Sequence, residues 1–233
     1  MSPISCYILC LETANAVTSV AISKDGQCIA LGEVLEPNRA ADKLHVLTEA
    51  LLTEAGLSFA DLNAVAISAG PGSYTGLRIA AAAAKGYCFS LDIPLIAIPT
   101  LQAMVEGVQT RYAQMEADVY VPMIDARRME VFTSFYTNNK EIVRSFPSLV
   151  LDPTFEEMLQ PELKYLLFGN GAIKAVNLLT GKDVSIINDF VPSAQDLCAE
   201  AWTKFKDGSF EDLAYYEPHY SKAFHSTMTD NHK

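Results

Sequence analysis

The chain has 233 residues, half of them hydrophobic and 19% charged, which is enough to bury a core and too apolar for disorder. Its formal charge is −11, its pI is near 4.8 and it has no Lys/Arg run, so unaided binding of nucleic acid is disfavoured. Five scattered cysteines without metal-ligand spacing, no basic leader ahead of Glu12 and no long apolar segment point to a cytoplasmic protein with buried free thiols and no membrane partner.

The first predicted element, YILCLE, is a continuous apolar run ending in Glu12, the pattern of a central strand covered on both faces. VTSVAIS follows, Lys24-Asp25-Gly26 is a hairpin signal, and QCIALGEVL makes a third strand. From Ala40 to Gly56, Leu44, Leu47, Leu51 and Ala55 recur at helical spacing, and Gly56 stops the helix. NAVAISAG is another buried strand. GPGSYTG then feeds an alanine helix from about Leu77 to Ser90, followed by the strand PLIAIP and a helix capped by Thr100 that runs to about Met115.

From Asp118 the order repeats. DVYVPMID is a strand ending in Asp125, MEVFTSFY returns, Asn138-Asn139 turns the chain, and EIVRSFPSLV is a third strand. A short helix is expected over Phe155–Leu159, then strand and glycine turn in KYLLFGNGA, a helix in IKAVNLLTG, the strand VSIIN, and a capped helix, SAQDLCAEAWTKFKDG, closed by Gly208. Each half is thus a three-strand meander extended by parallel strands through helical crossovers. The expected fold is α/β: two tandem ribonuclease-H-like units of the actin, Hsp70 and sugar-kinase type, mixed sheets flanked by helices, over residues 1–107 and 108–233. In that architecture Glu12 and Asp125 face a cleft between the halves.

The glycine loop is the first candidate site. Gly70, Gly72 and Gly76 permit close backbone approach, and a helix N-terminus offers free N–H groups to an anion. Ser73 or Thr75 could instead cap the helix. Arg78, in the first turn, suits an anion or a partner carboxylate. No Gly-Lys-Ser/Thr ending is present, so this is not a Walker A loop, and a tight strand-to-helix turn stands level with nucleotide contact. Glu12 and Asp125 could hold Mg²⁺ or activate a water. Arg127 and Arg128 stand where a phosphate loop would be, and structural or anion contacts are favoured over a metal pair. His45, His219, His225 and His232 form no ligand pair, so a zinc peptidase lacks its ligands; no metal site and no catalytic residue is assigned. Leu44, His45, Leu47 and Leu51 on one helix, with Ala80, Ala83, Ala84 and Tyr87 on the other, make a candidate docking surface, since small side chains let helices approach. The same alanines could equally let the helix lie near its own sheet.

ILCLETANAVTSVAIS, GPGSYTGLRIAAAAAKG, IPTLQAM and VPMIDARRMEVFTSFY together resemble the bacterial TsaB (YeaZ) family, closely over roughly the first 135 residues and loosely beyond. That family works in making threonylcarbamoyladenosine beside the tRNA anticodon. The resemblance implies a non-catalytic partner, or dimerisation, subunit of a catalytic paralogue, TsaD, joined by a third, ATPase subunit. It places tRNA within reach only through the complex and the pairing surface on the N-terminal helices. It requires no cofactor of this chain, with ATP or ADP associated with the assembled complex, and leaves open a homodimer when the chain is alone. The alternative is an autonomous actin-like-fold ATPase or small-molecule kinase. The sequence departs from the family pattern at Glu12 (usually Asp), Ala80 (usually Gly) and Lys222 (usually Arg).

Overall fold

The computed structural model describes residues 5–35 and 40–220; the sequence-marked Lys222, His225 and His232 lie outside them. The first sheet begins with an antiparallel meander, β1 (Tyr7–Glu12), β2 (Thr18–Lys24) and β3 (Gln27–Val34). β4 (Ala64–Ser68) and β5 (Leu95–Ile98) extend it in parallel on the other side of β1, giving the order β3-β2-β1-β4-β5. The second sheet repeats this with β6 (Val119–Asp125), β7 (Glu130–Thr137), β8 (Ile142–Val150), β9 (Tyr165–Phe168) and β10 (Val184–Ile187), in the order β10-β9-β6-β7-β8. These are two ribonuclease-H-like sheets with equivalent strand orders, as expected from the repeated pattern.

The α-helices are α1 (Ala40–Glu54), α2 (Tyr74–Leu91), α3 (Thr100–Arg111) and α4 (Cys198–Lys206). One face of the first sheet, through Leu9, Leu11, Ile22 and Ile67, packs on Leu44 and Leu51 of α1 and Ala80 and Ala84 of α2. The other face, with Ile8, Cys10, Ala66 and Ile98, packs on Ala103 of α3 and Cys198 and Ala201 of α4. Both faces of β1 are therefore covered, and YILCLE has no reason to alternate. α3 serves both sheets: its Leu101, Met104 and Val108 face Tyr120, Ile124 and Phe168 of the second. Cys6, Cys10, Cys88 and Cys198 are buried thiols, whereas Cys28 is exposed.

Four features differ from the expectation. The second-half crossovers over Pro153–Met158 and Ala172–Leu178 are 3₁₀ turns, because segments so short cannot repay α-helix nucleation. α3 ends at Arg111 rather than near Met115, where Tyr112 leaves helical backbone at φ −127°. Thr100 is the first residue of α3 rather than its cap, and its hydroxyl accepts from the Gly70 N–H at 3.1 Å. Finally, α4 follows the second sheet in the chain but lies on the first, its Trp202 filling the space that a Cβ at Gly26 would need. Beyond α4 the chain crosses the open edge of β5, where Glu211 bridges Leu95, and buries Tyr216 beside α2.

Candidate functional site

The carboxyl ends of β1 and β6 carry the two acids marked by the sequence, and they meet different fates. Glu12 is fully buried. Its carboxyl accepts from the Ser68 hydroxyl and the Ala14 N–H. Burial pushes its pKa up to about 7, and those two hydrogen bonds only partly oppose the shift.

The glycine loop closes over this acid. The Ser73 N–H donates to the Ala14 carbonyl at 2.7 Å, and the Thr13 hydroxyl donates to the Gly76 carbonyl at 2.7 Å. The Gly76 N–H donates to the Ser73 hydroxyl, so Ser73 is the cap, while Thr75 is exposed on the first turn. A Cβ at Gly72 would strike Ala14, one at Gly76 the Thr13 carbonyl, and one at Gly70 the His219 carbonyl. The glycines thus allow the chain to approach itself, and donors that could have held a phosphate go to its own oxygens. Arg78 is engaged too: its guanidinium lies 4.1 Å from the Tyr74 ring centroid, and its Nε–H donates to the Tyr220 hydroxyl at 3.1 Å.

Asp125, by contrast, stays 43% exposed at its side chain and pairs with Lys174 at 2.5 Å. Partial burial raises its carboxyl pKa, but Lys174 and the Arg127 N–H outweigh that and carry it below the ordinary value. The Asp125 N–H donates to the Asn170 side chain at 2.9 Å, and Lys174 also donates to the Glu130 carbonyl. Immediately beyond, Arg127 (φ 73°) and Arg128 (φ 49°) form the turn between β6 and β7, both left-handed and both exposed. Each such non-glycine residue costs about 1–2 kcal/mol. Glu12 and Asp125 share no hydrogen-bond partner among the described residues, and no three His, Cys, Asp or Glu side chains there gather as a metal site.

On the helices, the expected docking alanines turn inward. Ala80, Ala83 and Ala84 are buried with Leu44 and Leu51, because this arc of α2 faces the sheet and α1; small volume here lets the helix lie close. Leu47 packs toward Gly32. His45 is exposed and shares a 2.6 Å hydrogen bond with the half-buried Tyr87, which stacks on Phe59. The outward arc carries Ala82, Gly86 and Phe89, the last 83% exposed, with Ile79 partly buried at its edge; on α1, Val46 is 63% exposed and Ala50 is exposed. A Cβ at Gly86 would meet nothing within 4 Å. The signal for this arc was present in the sequence as 79, 82, 86, 89, one helical step from the arc chosen.

Sequence reasoning also missed the network around Asp196, between the end of α3 and the turn ahead of α4. Arg111 donates to Asp196 at 2.7 Å and to the Val191 carbonyl at 3.0 Å, with its guanidinium 4.3 Å from the Phe190 ring centroid. The Asp196 carboxyl occupies the space a Cβ at Gly107 would take. Burial drives the Asp196 pKa up to about 7 even against the Arg111 charge. Ser193 continues the network to Glu33 at 2.7 Å. These partners are far apart in sequence, so no local pattern announces them.

With two equivalent sheets, one closed and one open strand end, and an apolar outer helix pair, the chain can be set beside known proteins. The family model described as TsaD, tRNA N6-adenosine threonylcarbamoyltransferase, matches residues 38–227. The chain is 29% identical over 221 residues to the tRNA threonylcarbamoyladenosine biosynthesis protein TsaB of Escherichia coli K12, covering 91% of this chain and 93% of that protein. It is 29% identical over 206 residues to the protein of the same name from Buchnera aphidicola of Acyrthosiphon pisum, covering 86% and 90%. The solved structure of YeaZ from Pseudomonas aeruginosa superposes with a TM-score of 0.77 at 26% identity, over 92% of this chain and 99% of that one. The chain belongs to this threonylcarbamoyltransferase family, and within it to the TsaB (YeaZ) group. Among the described residues no helix is long and apolar enough to cross a membrane.

Proposed function

We propose that this chain is a non-catalytic partner subunit for the transferase that places threonylcarbamoyl on the adenosine beside the tRNA anticodon, acting in the cytoplasm. Its partners are the catalytic paralogue and the ATPase subunit of the same complex, and it meets tRNA within that assembly. The observation that carries this reading is the outward arc of α2. Glycine in a helix interior costs about 1 kcal/mol relative to alanine, and at Gly86 neither backbone angle nor local packing calls for it. Its presence between exposed Ala82 and Phe89 makes sense if another backbone approaches closely there. With α1 alongside, the two helices offer half of a four-helix contact.

The closed end of the first sheet supports the non-catalytic part of the reading. An autonomous ATPase of this fold would need the Glu12 carboxylate and the glycine-loop donors free for metal and phosphate, whereas that carboxyl and the Gly70, Ser73 and Gly76 N–H groups are bonded within the chain. The chain therefore requires no nucleotide of its own, and ATP or ADP belongs to the assembled complex.

Size-exclusion chromatography of the chain mixed with the catalytic paralogue tests the proposal. The wild type is expected to co-elute, and Gly86→Arg to elute alone with unchanged circular dichroism. Co-elution that survives Gly86→Arg and Ala82→Arg removes the assigned surface; failure of the wild type to pair removes the function. In the reconstituted modification reaction, omitting this chain is expected to abolish product.

A further inference from the structure

We propose that the turn at Arg127 and Arg128 grips the phosphate backbone of the tRNA substrate within the assembled complex; the inference rests on the subunit reading above. β6, β9 and β10 run parallel, so their carboxyl ends lie on one side of the second sheet, where open α/β sheets bind ligands. The β6–β7 turn projects from that side. The Ala126 N–H to the Glu130 carbonyl at 3.0 Å and the Glu130 N–H to the Arg127 carbonyl at 3.1 Å close a three-residue turn of Arg127, Arg128 and Met129.

Both arginines hold left-handed backbone, which normally falls to glycine or asparagine. Neither guanidinium has a partner among the described residues, so no internal contact offsets the strain. The adjacent carboxylate, Asp125, is already committed to Lys174 and to the Arg127 N–H. The result is a local pair of free positive charges on a chain whose net charge is −11.

Guanidinium groups match phosphate oxygens in bidentate geometry. Two of them on a short rigid turn suit successive phosphates and would position an RNA without reading its bases. A protein carboxylate partner fits less well, because a protein interface would surround the pair with a broad apolar area, and the exposed large apolar side chains at this turn are Met129 and, across from Glu130, Val150. The strongly acidic remainder keeps the isolated chain from holding RNA alone, so the contact forms only when the other subunits bring the tRNA in.

The test uses the complete complex and an unmodified tRNA transcript, titrated by fluorescence anisotropy at several salt concentrations. In the Arg127→Gly/Arg128→Gly variant, glycine accepts both backbone angles, so the fold and the assembly stay intact. The variant complex is expected to bind the transcript about tenfold more weakly near 0.1 M salt, with a log–log salt slope smaller by about 1.4, two phosphate contacts' worth. Arg127→Lys/Arg128→Lys is expected to recover part of the affinity. Unchanged affinity and slope in an intact complex overturns the proposal. So does a folded variant that no longer assembles, which would place the arginines against protein, or a variant that changes only ADP binding. If the wild-type chain forms no complex, the subunit reading falls first and this proposal with it.

Discussion

The ends of β1 and β6 are equivalent positions in two sheets of the same topology, yet one is sealed and the other is open. At β1 the acid is buried, the glycine loop after β4 presses on the Thr13 and Ala14 backbone that follows it, and the C-terminal stretch lies over that loop through His219 and Tyr220. At β6 the acid is exposed, ion-paired and followed by two outward arginines. A duplicated fold supplies two candidate ligand crevices, and this chain has filled one with itself. The lesson is that a glycine-rich strand-to-helix turn is judged by what its N–H groups touch, not by its composition.

The comparison can be broken most sharply at Gly76. Gly76→Val places side-chain atoms on the Thr13 carbonyl in a region that cannot yield, and is expected to cost about 3 kcal/mol or more, read as a drop in Tm. Next comes Glu12. The folded chain keeps its proton up to about pH 7, while the unfolded chain releases it near 4.5. The folded state therefore binds more protons between those values, and stability falls as pH rises through that window. Glu12→Gln mimics the protonated acid at every pH and is expected to flatten the curve, gaining roughly 3 kcal/mol above pH 8 in denaturant titrations. Asp196, also held up to about 7, retains part of the slope in that variant.

At the open end the effects shrink. Arg128→Gly relieves the left-handed backbone and is expected to stabilise the fold by up to about 1 kcal/mol, a rise in Tm rather than a loss. Asp125→Asn breaks an exposed ion pair and is expected to change stability by about 1 kcal/mol at most. If Asp125→Asn proved as damaging as Gly76→Val, the contrast between the two ends would be lost.

Much of the fold was legible because it is written in local patterns. Buried runs such as YILCLE and NAVAISAG, the Lys24-Asp25-Gly26 hairpin and the repeated order of elements place the ten strands found among the described residues. The chemistry was less legible because it depends on distant partners. Ser68 reaches Glu12, Asp196 reaches Arg111, Lys174 reaches Asp125 and Tyr220 reaches Arg78, each across dozens of residues. The helix arc was a different failure: α2 is small and apolar nearly all round, so periodicity alone could not say which alanines face the sheet. The 3₁₀ crossovers escaped because seven residues carry too little pattern to separate them from an α-helix.

The placement of α4 has a consequence for how the chain is made. The face of the first sheet that carries Ile8, Cys10, Ala66 and Ile98 is complete only when Cys198, Ala201 and Trp202 arrive. A ribosome releases those residues only after both sheets, so the first half leaves the exit tunnel with an apolar face bare and waits for α4 to cover it. Truncation before Ser193 is therefore expected to damage the beginning of the protein more than its middle.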